Sequence, residues 1–308
     1  MSLSRIKTWQ RNEILLSSDL NAEFNNILQN GSTLVFPLNS DLDVGSKLLI
    51  NTGLQNPSQL HDAILSMDKF SNSLPVAIAS IGSTKTTLLI GSAITVGANA
   101  TIPDNIILWF VGPGKLFVNA TYTVTINSPS QVLAHTQQQV FDGTGTITFT
   151  NGGVVSPGWW GFSSGGTAAT NADAYNACSN SLSAKGGAII IPPTGSAHQV
   201  DDTLTHPAKP ISVVGAHPDL CIIESTATAS LAHGFTFTRS HHLRNLTIRT
   251  SASLASNYDM YAVRMNLDGV TVSGGNQSVK WESLKVRGFN NSLYVDGGDA
   301  YNIDRLSF

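Results

Sequence analysis

Charge is scarce in this sequence. Asp, Glu, Lys and Arg make up 12% of its 308 residues, about half the usual share of roughly 25%. The formal net charge is −3 and no basic block occurs, so the electrostatic footprint of a nucleic-acid partner is missing. Cysteine is nearly absent: Cys178 and Cys221 stand alone, which predicts two buried thiols rather than a disulfide framework. No His, Cys, Asp or Glu cluster has metal-ligand spacing, and neither a metal nor another cofactor is expected. Residues 1–20 contain no continuous apolar core followed by a cleavage site. The expectation is therefore no secretory signal and no membrane span, and a chain that stays inside the cell where it is made or leaves it by a route such as lysis.

Small polar residues take the place of the missing charge. Hydrophobic residues are 41% of the chain and Gly numbers 27, which excludes a disordered composition. Thr, Asn and Gly with frequent Ile, Val and Leu suit β architectures, where short side chains stack and turn.

Three regions differ in texture. In the first, residues 1–72, Ser18 is placed to cap a helix that aligns Leu20, Phe24 and Ile27, and Gly31 stops it. One short amphipathic helix cannot bury its own stripe, so this segment docks on a sister chain, a larger assembly or the next domain. Trp9 and Ile14 add apolar anchors. A second helical pattern covers Ser58–Phe70, with Leu60, Ile64 and Met67 on one face. In the second region, residues 73–156, short strands are predicted at Thr87–Ile90, Ile106–Phe110, Lys115–Val118, Thr123–Ile126 and Thr146–Phe149, punctuated by Gly, Pro and Asn. They form either a small β domain or the first irregular coils of a stacked array.

The third region, residues 157–308, opens with Pro157-Gly-Trp-Trp-Gly161. Thr170 with Asp173 resembles a capping box, and the helix after it sets Ala172, Tyr175, Cys178 and Leu182 on one side. Ala188–Ile191 reads as a buried strand ended by Pro192-Pro193. An internal repeat follows: Leu243-Arg-Asn-Leu-Thr-Ile248, Trp281-Glu-Ser-Leu-Lys-Val286 and Ile303-Asp-Arg-Leu-Ser-Phe308, with Leu267-Asp-Gly-Val-Thr-Val272 between them. Each unit is apolar, two polar, apolar, polar, apolar. Such units bury their inward residues only against neighbouring units. The pattern still runs at Phe308, which suggests a rod truncated there or an open end covered by a partner.

Val155-Ser-Pro-Gly-Trp-Trp-Gly161, the helix through Ala177, and Gly186-Gly-Ala-Ile-Ile-Ile-Pro-Pro-Thr-Gly195 together resemble the start of the pectate-lyase-like right-handed parallel β-helix of bacteriophage tailspikes. Trp9 and Leu16-Ser-Ser-Asp-Leu-Asn-Ala-Glu-Phe-Asn-Asn-Ile27 are similar to the virion-attachment segment of phage tail fibres and spikes. The sequence departs from that pattern at Gly158, where Glu is common, at Ser163–Thr167, and at Ala197-His198, where a Tyr is usual. The resemblance implies a mainly β chain in which a short helical virion-anchoring segment and a small β region precede a capping helix and a right-handed parallel β-helix. It further implies a homotrimer on the virion tail, bound to tail or adaptor proteins through residues such as Trp9, Ile14, Leu20, Phe24 and Ile27, with its rod directed at host surface polysaccharide. No nucleic acid or membrane insertion is implied.

Two functions remain open at this point: an attachment and receptor-directed protein, or a polysaccharide depolymerase, hydrolase or lyase. For the second, aligning the last two repeats puts Glu282 and Asp304 at one coil position, where stacking at about 4.8 Å approaches the roughly 5 to 5.5 Å of a retaining glycosidase pair. The commoner origin of such a pair is a polar ladder on the outer face, relieved by Lys285 and Arg305. Trp159 and Trp160 are candidate sugar-stacking faces, or packing for the junction before the helix. His198, Asp201, Asp202, His206 and His241-His242 are expected on solvated turns.

Overall fold

The strand prediction rests on alternation, and alternation is what builds the core. We describe a computed structural model, covering residues 63–207, 209–226, 234–237, 241–251, 261–266, 277–289, 291–296 and 301–305. All of them lie within one compact unit, Leu60–Phe308. The protein is mainly β, and every strand pairing is parallel. In Thr86–Ile90, Leu88 and Ile90 point inward while Thr87 and Leu89 are half-buried; Ile106–Phe110 and Thr123–Ile126 repeat the alternation. Among the described residues no helix is long and apolar enough to cross a membrane.

From residue 86 to 149 the chain visits three sheets in a fixed cycle, and Ala63–Ser66 extends the first of them. The first holds Ala63–Ser66, Thr86–Ile90, Ile106–Phe110 and Val132–Leu133. The second holds Ala93–Val96, Lys115–Val118 and Phe141–Gly143. The third holds Ala100–Ile102, Thr123–Ile126 and Thr146–Phe149. The five strands expected from the sequence are present, Thr87–Ile90 beginning one residue earlier at Thr86. Those overlooked, such as Ala93–Val96 and Ala100–Ile102, have three or four residues and too few alternations to read.

Side-chain amides close the corners, which explains why Asn and Gln are abundant where charge is scarce. Asn105 Nδ2 donates to the carbonyls of Gly82 (3.0 Å) and Thr84 (2.6 Å). Gln131 Nε2 donates to those of Pro103 and Ile106, both at 2.6 Å. Successive circuits stack polar groups: Thr148 on Thr125 at 3.2 Å and Asn151 on Asn127 at 2.9 Å. These bonds satisfy backbone groups that a turn would otherwise leave unpaired.

Of the helix expected over Ser58–Phe70, the described part, 63–70, takes another form. Ala63–Ser66 is a strand paired in register with Thr86–Leu89, and Met67–Phe70 is a 3-10 turn capped by Ser66. Sheet pairing overrides local helical spacing, and residues 63–70 thus belong with the sheet after them. The nearby helix is α1, Leu74–Ile81, with a Pro in its first turn. The second helix, α2, spans Ala168–Ser181 and is capped by Thr167, whose side chain accepts from the Thr170 N–H. The cap therefore lies three residues before the expected Thr170–Asp173 box. Ala172, Tyr175, Cys178 and Leu182 are buried as expected.

Helix α2 was expected to close a mouth. It instead lies against Thr146–Phe149 on one side and Ala197–Val200 and Leu204–His206 on the other, where a strand of the cycle would otherwise run. The 3-10 turn Pro157–Trp160 likewise lies against Phe141–Gly143. One core therefore continues from Met67 to Leu284.

Beyond α2 the parallel sheets resume. Gly187–Ile190 pairs Ile211–Val214, which pairs the first half of His241–Thr250. The second half of that strand pairs Ile222–Ser225, so one sheet curls around a corner. Asn245 sits at the bend with φ 57°, a conformation Asn tolerates better than most residues. Leu243 faces Trp281, Leu246 faces Leu284 and Ile248 faces Val286, the alignment expected of the first two repeats. The third repeat is offset: Ile303 faces Val279, and the register slips so that Arg305 faces Lys280. The unit at Leu267–Val272 lies outside the described residues.

Gly158 is required by a close backbone approach. A Cβ there would lie 2.0 Å from the Thr136 carbonyl oxygen, so no side chain fits. Gly158→Ala is expected to cost about 2–3 kcal/mol, lowering Tm by several degrees. Gly165→Ala, with nothing within 4 Å, should be close to neutral in the same thermal melt.

Candidate functional site

The turn that carries the two tryptophans also shapes a cleft. Pro157 starts it, Ser156 Oγ accepts from the Gly158 N–H, and Gly161 at φ 95° ends it. This geometry turns the two indoles to different environments. Trp159 is 6% exposed and packs edge-on to Phe141, so it has no face to offer a sugar. Trp160 is half-buried and lies 4.9 Å from the Phe141 ring. Phe141 is itself braced by Phe110, with ring centroids 6.0 Å apart.

Trp160 and Phe141 line a cleft of about 390 Å³ together with Gln139, Asp142, Thr170 and Asp173. Strand Phe141–Gly143 supplies Asp142 and helix α2 supplies Thr170 and Asp173. Asp142 accepts from Lys115 Nζ at 2.7 Å and from the Gly143 N–H at 2.8 Å. The Lys115 bond, aided by the Gly143 N–H, holds the Asp142 carboxyl below its usual range despite partial burial. It stays ionised and acts as an acceptor. Sequence reasoning singled out Trp160 but missed Phe141 and Asp142, because Val140-Phe-Asp-Gly143 is too short to show a period. Asp173 was assigned to a cap, and the structure exposes it at the cleft.

The Glu282 and Asp304 pair is not set side by side by the ladder. Asp304 falls where the register slips, between Ile303 opposite Val279 and Arg305 opposite Lys280. Glu282 stands opposite Arg244 on the other neighbouring strand and makes an ion pair with Lys280 at 2.9 Å. The offset arises because the equivalence assumed one uniform repeat, whereas the strand contains a bulge. The side chain of Asp304, and residues Trp9, Ile14, Leu20, Phe24 and Ile27, lie outside the described positions.

The histidines differ most from expectation. Asp201 and Asp202 are exposed on a bend, as expected, and His242 is exposed but lies in the strand His241–Thr250, whereas His198, His206 and His241 are buried. His206, Phe237 and His241 form a parallel stack with centroids 3.9 and 3.8 Å apart. His206 Nδ1 lies 3.1 Å from the Thr236 carbonyl. That nitrogen therefore carries the proton, and Nε2 accepts from Tyr175 Oη at 2.7 Å. His241 Nε2 accepts from Trp281 Nε1 at 3.1 Å. Burial pushes the His206 pKa down to about 3, partly offset by the Thr236 bond and reinforced by His241. Burial also lowers His198. Imidazole rings serve here as aromatic core, so polar residue type misled the sequence reading.

Cys178 and Cys221 are buried free thiols, and burial raises the Cys178 pKa well above its ordinary value. Among the described residues no group of three His, Cys, Asp or Glu side chains converges as a metal site. Comparison of the chain with protein-family models, with curated proteins and with solved structures returns no match.

Proposed function

We propose that this chain is part of a bacteriophage tailspike or tail fibre: an attachment protein that carries a glycan-directed β-helical rod. The observation that carries the reading is the cycle of three parallel sheets before the Trp-Trp turn and α2, followed after them by two further parallel sheets, one curled, around the same apolar core. Parallel strands joined by crossovers in one sense favour a right-handed winding. Such a rod exposes long, uncharged, Thr- and Asn-rich faces, suited to weak contacts spread along a polymer. In this reading residues 1–62, with Trp9, Ile14, Leu20, Phe24 and Ile27, bind the tail or an adaptor. Three copies assemble, which raises effective concentration for weak sugar contacts.

Binding is preferred to cleavage in this reading because the Lys115 bond holds the Asp142 carboxyl below its usual range, which removes Asp142 as the general acid that glycosidic cleavage needs. The test is adsorption of the labelled full chain to a panel of bacterial strains differing in capsule and lipopolysaccharide. The expected result is retention by a subset defined by surface polysaccharide, lost after periodate oxidation of the cells. Failure on every strain, or retention that survives periodate, would overturn the proposal.

A further inference from the structure

The cleft beside Trp160 has a chemistry that narrows its ligand. Three features are independent of one another. The Trp160 ring is held in place from below by Phe141, itself 1% exposed and wedged between Phe110 and Trp159. It is therefore a preformed platform whose face costs little to order on binding. An indole face carries negative potential and attracts the weakly positive C–H groups on one side of a pyranose ring. The cleft volume of about 390 Å³ lies within the range of small-molecule sites, and near its lower end, which suits one or two sugar rings.

The rim supplies both donors and acceptors. Asp142 keeps lone pairs beyond those engaged by Lys115 and Gly143. Gln139 offers a carboxamide, and Thr170 Oγ1 donates to the Thr167 carbonyl and still accepts. A hydroxyl both donates and accepts, so this mixture matches a polyol. A bare cation would need acceptors only. The two carboxylates, Asp142 and Asp173, are the charged groups lining the cleft, and the nearby Lys115 is already committed to Asp142. An anionic sugar entering here would meet the Asp173 carboxylate and an Asp142 already paired with Lys115, and among the described residues no further cation lines the cleft to attract it.

We infer that the cleft formed by Trp160, Phe141, Asp142, Thr170 and Asp173 is a binding subsite for neutral hexopyranose or N-acetylhexosamine units, and that it rejects uronate and sialate units. This rests on the glycan-directed reading above and specifies its ligand. The probe is a printed array of neutral and N-acetylated bacterial oligosaccharides beside uronate- and sialate-containing ones, read with the full chain. Retention of neutral spots and not acidic ones is the expected result. Trp160→Ala should weaken retention roughly tenfold or more, the loss of about 1.4 kcal/mol of stacking. Asp173→Lys, at an exposed position on α2, should allow acidic spots to bind, with its thermal melt compared with that of the unmodified chain.

Equal binding of acidic and neutral spots by the unmodified chain would overturn the inference. So would unchanged retention in Trp160→Ala, or an array on which nothing binds. If Trp160→Ala still adsorbs to the strains that hold the unmodified chain, the subsite assignment falls while the attachment reading stands. If the unmodified chain adsorbs to no strain, the attachment reading falls with it.

Discussion

Lowering the pH from about 7 to about 4 is expected to remove on the order of 3 kcal/mol of folding stability through His206 alone. Its pKa in the folded chain is about 3, against about 6.5 when unfolded. Between those values the unfolded chain binds a proton that the folded chain refuses, so stability is full above about 6.5 and falls as acid is added. Tyr175 Oη, the Thr236 carbonyl, the rings of Phe235 and Phe237, and His241 pack around His206, and burial among them disfavours the charged ring. His198 adds a loss of the same sign. Asp142, held below its usual carboxylate range, contributes only at lower pH. Urea unfolding at a series of pH values measures the slope. His206→Phe preserves the stack on Phe237 but orphans the Tyr175 hydroxyl. It should be less stable than the parent at pH 8 and distinctly less sensitive between pH 6.5 and 4. A parent and variant with the same slope would refute the assignment.

The second large effect is expected at Trp281. Its indole is 1% exposed and donates to His241 Nε2, and its strand partner across the ladder is Leu243. Trp281→Ala deletes the largest fully buried side chain among the described residues, leaving a cavity and removing the donor to His241 Nε2. Such deletions cost about 3–5 kcal/mol. Trp281→Phe keeps most of the volume and loses the hydrogen bond, at about 1–2 kcal/mol. Denaturant midpoints at constant slope separate the two variants. Equal losses would mean that the hydrogen bond, not packing, is the dominant contribution.

The limits of sequence reading fall along physical lines. Strands of four or five residues with clear alternation were legible, because a two-residue period survives any context. Leu243–Ile248 and Trp281–Val286 were legible as equivalents since both pack the same positions around one bend. The segment Ala63–Phe70 was not, since Leu60, Ile64 and Met67 fit helical spacing and only the partner strand Thr86–Leu89 decides otherwise. His206 and His241 were misplaced because residue type predicts solvation and cannot reveal that stacked rings and a tyrosine hydroxyl await them. The third repeat slipped because a bulge is a two-strand property, invisible in one strand. Half of the cleft was visible as Trp160. The other half comes from residues about 20 positions earlier, brought close by a circuit whose length no local signal fixes.

That variable circuit length has an evolutionary consequence. A residue and its counterpart on the next strand are separated by as few as 20 positions, Thr86 to Ile106, and by as many as 38, His241 to Val279. The inward-facing residues keep their places throughout, so added length is accommodated between strands without disturbing the interior. Mutation can therefore lengthen, shorten or exchange the exterior while the scaffold endures, a property that would serve the attachment role proposed above.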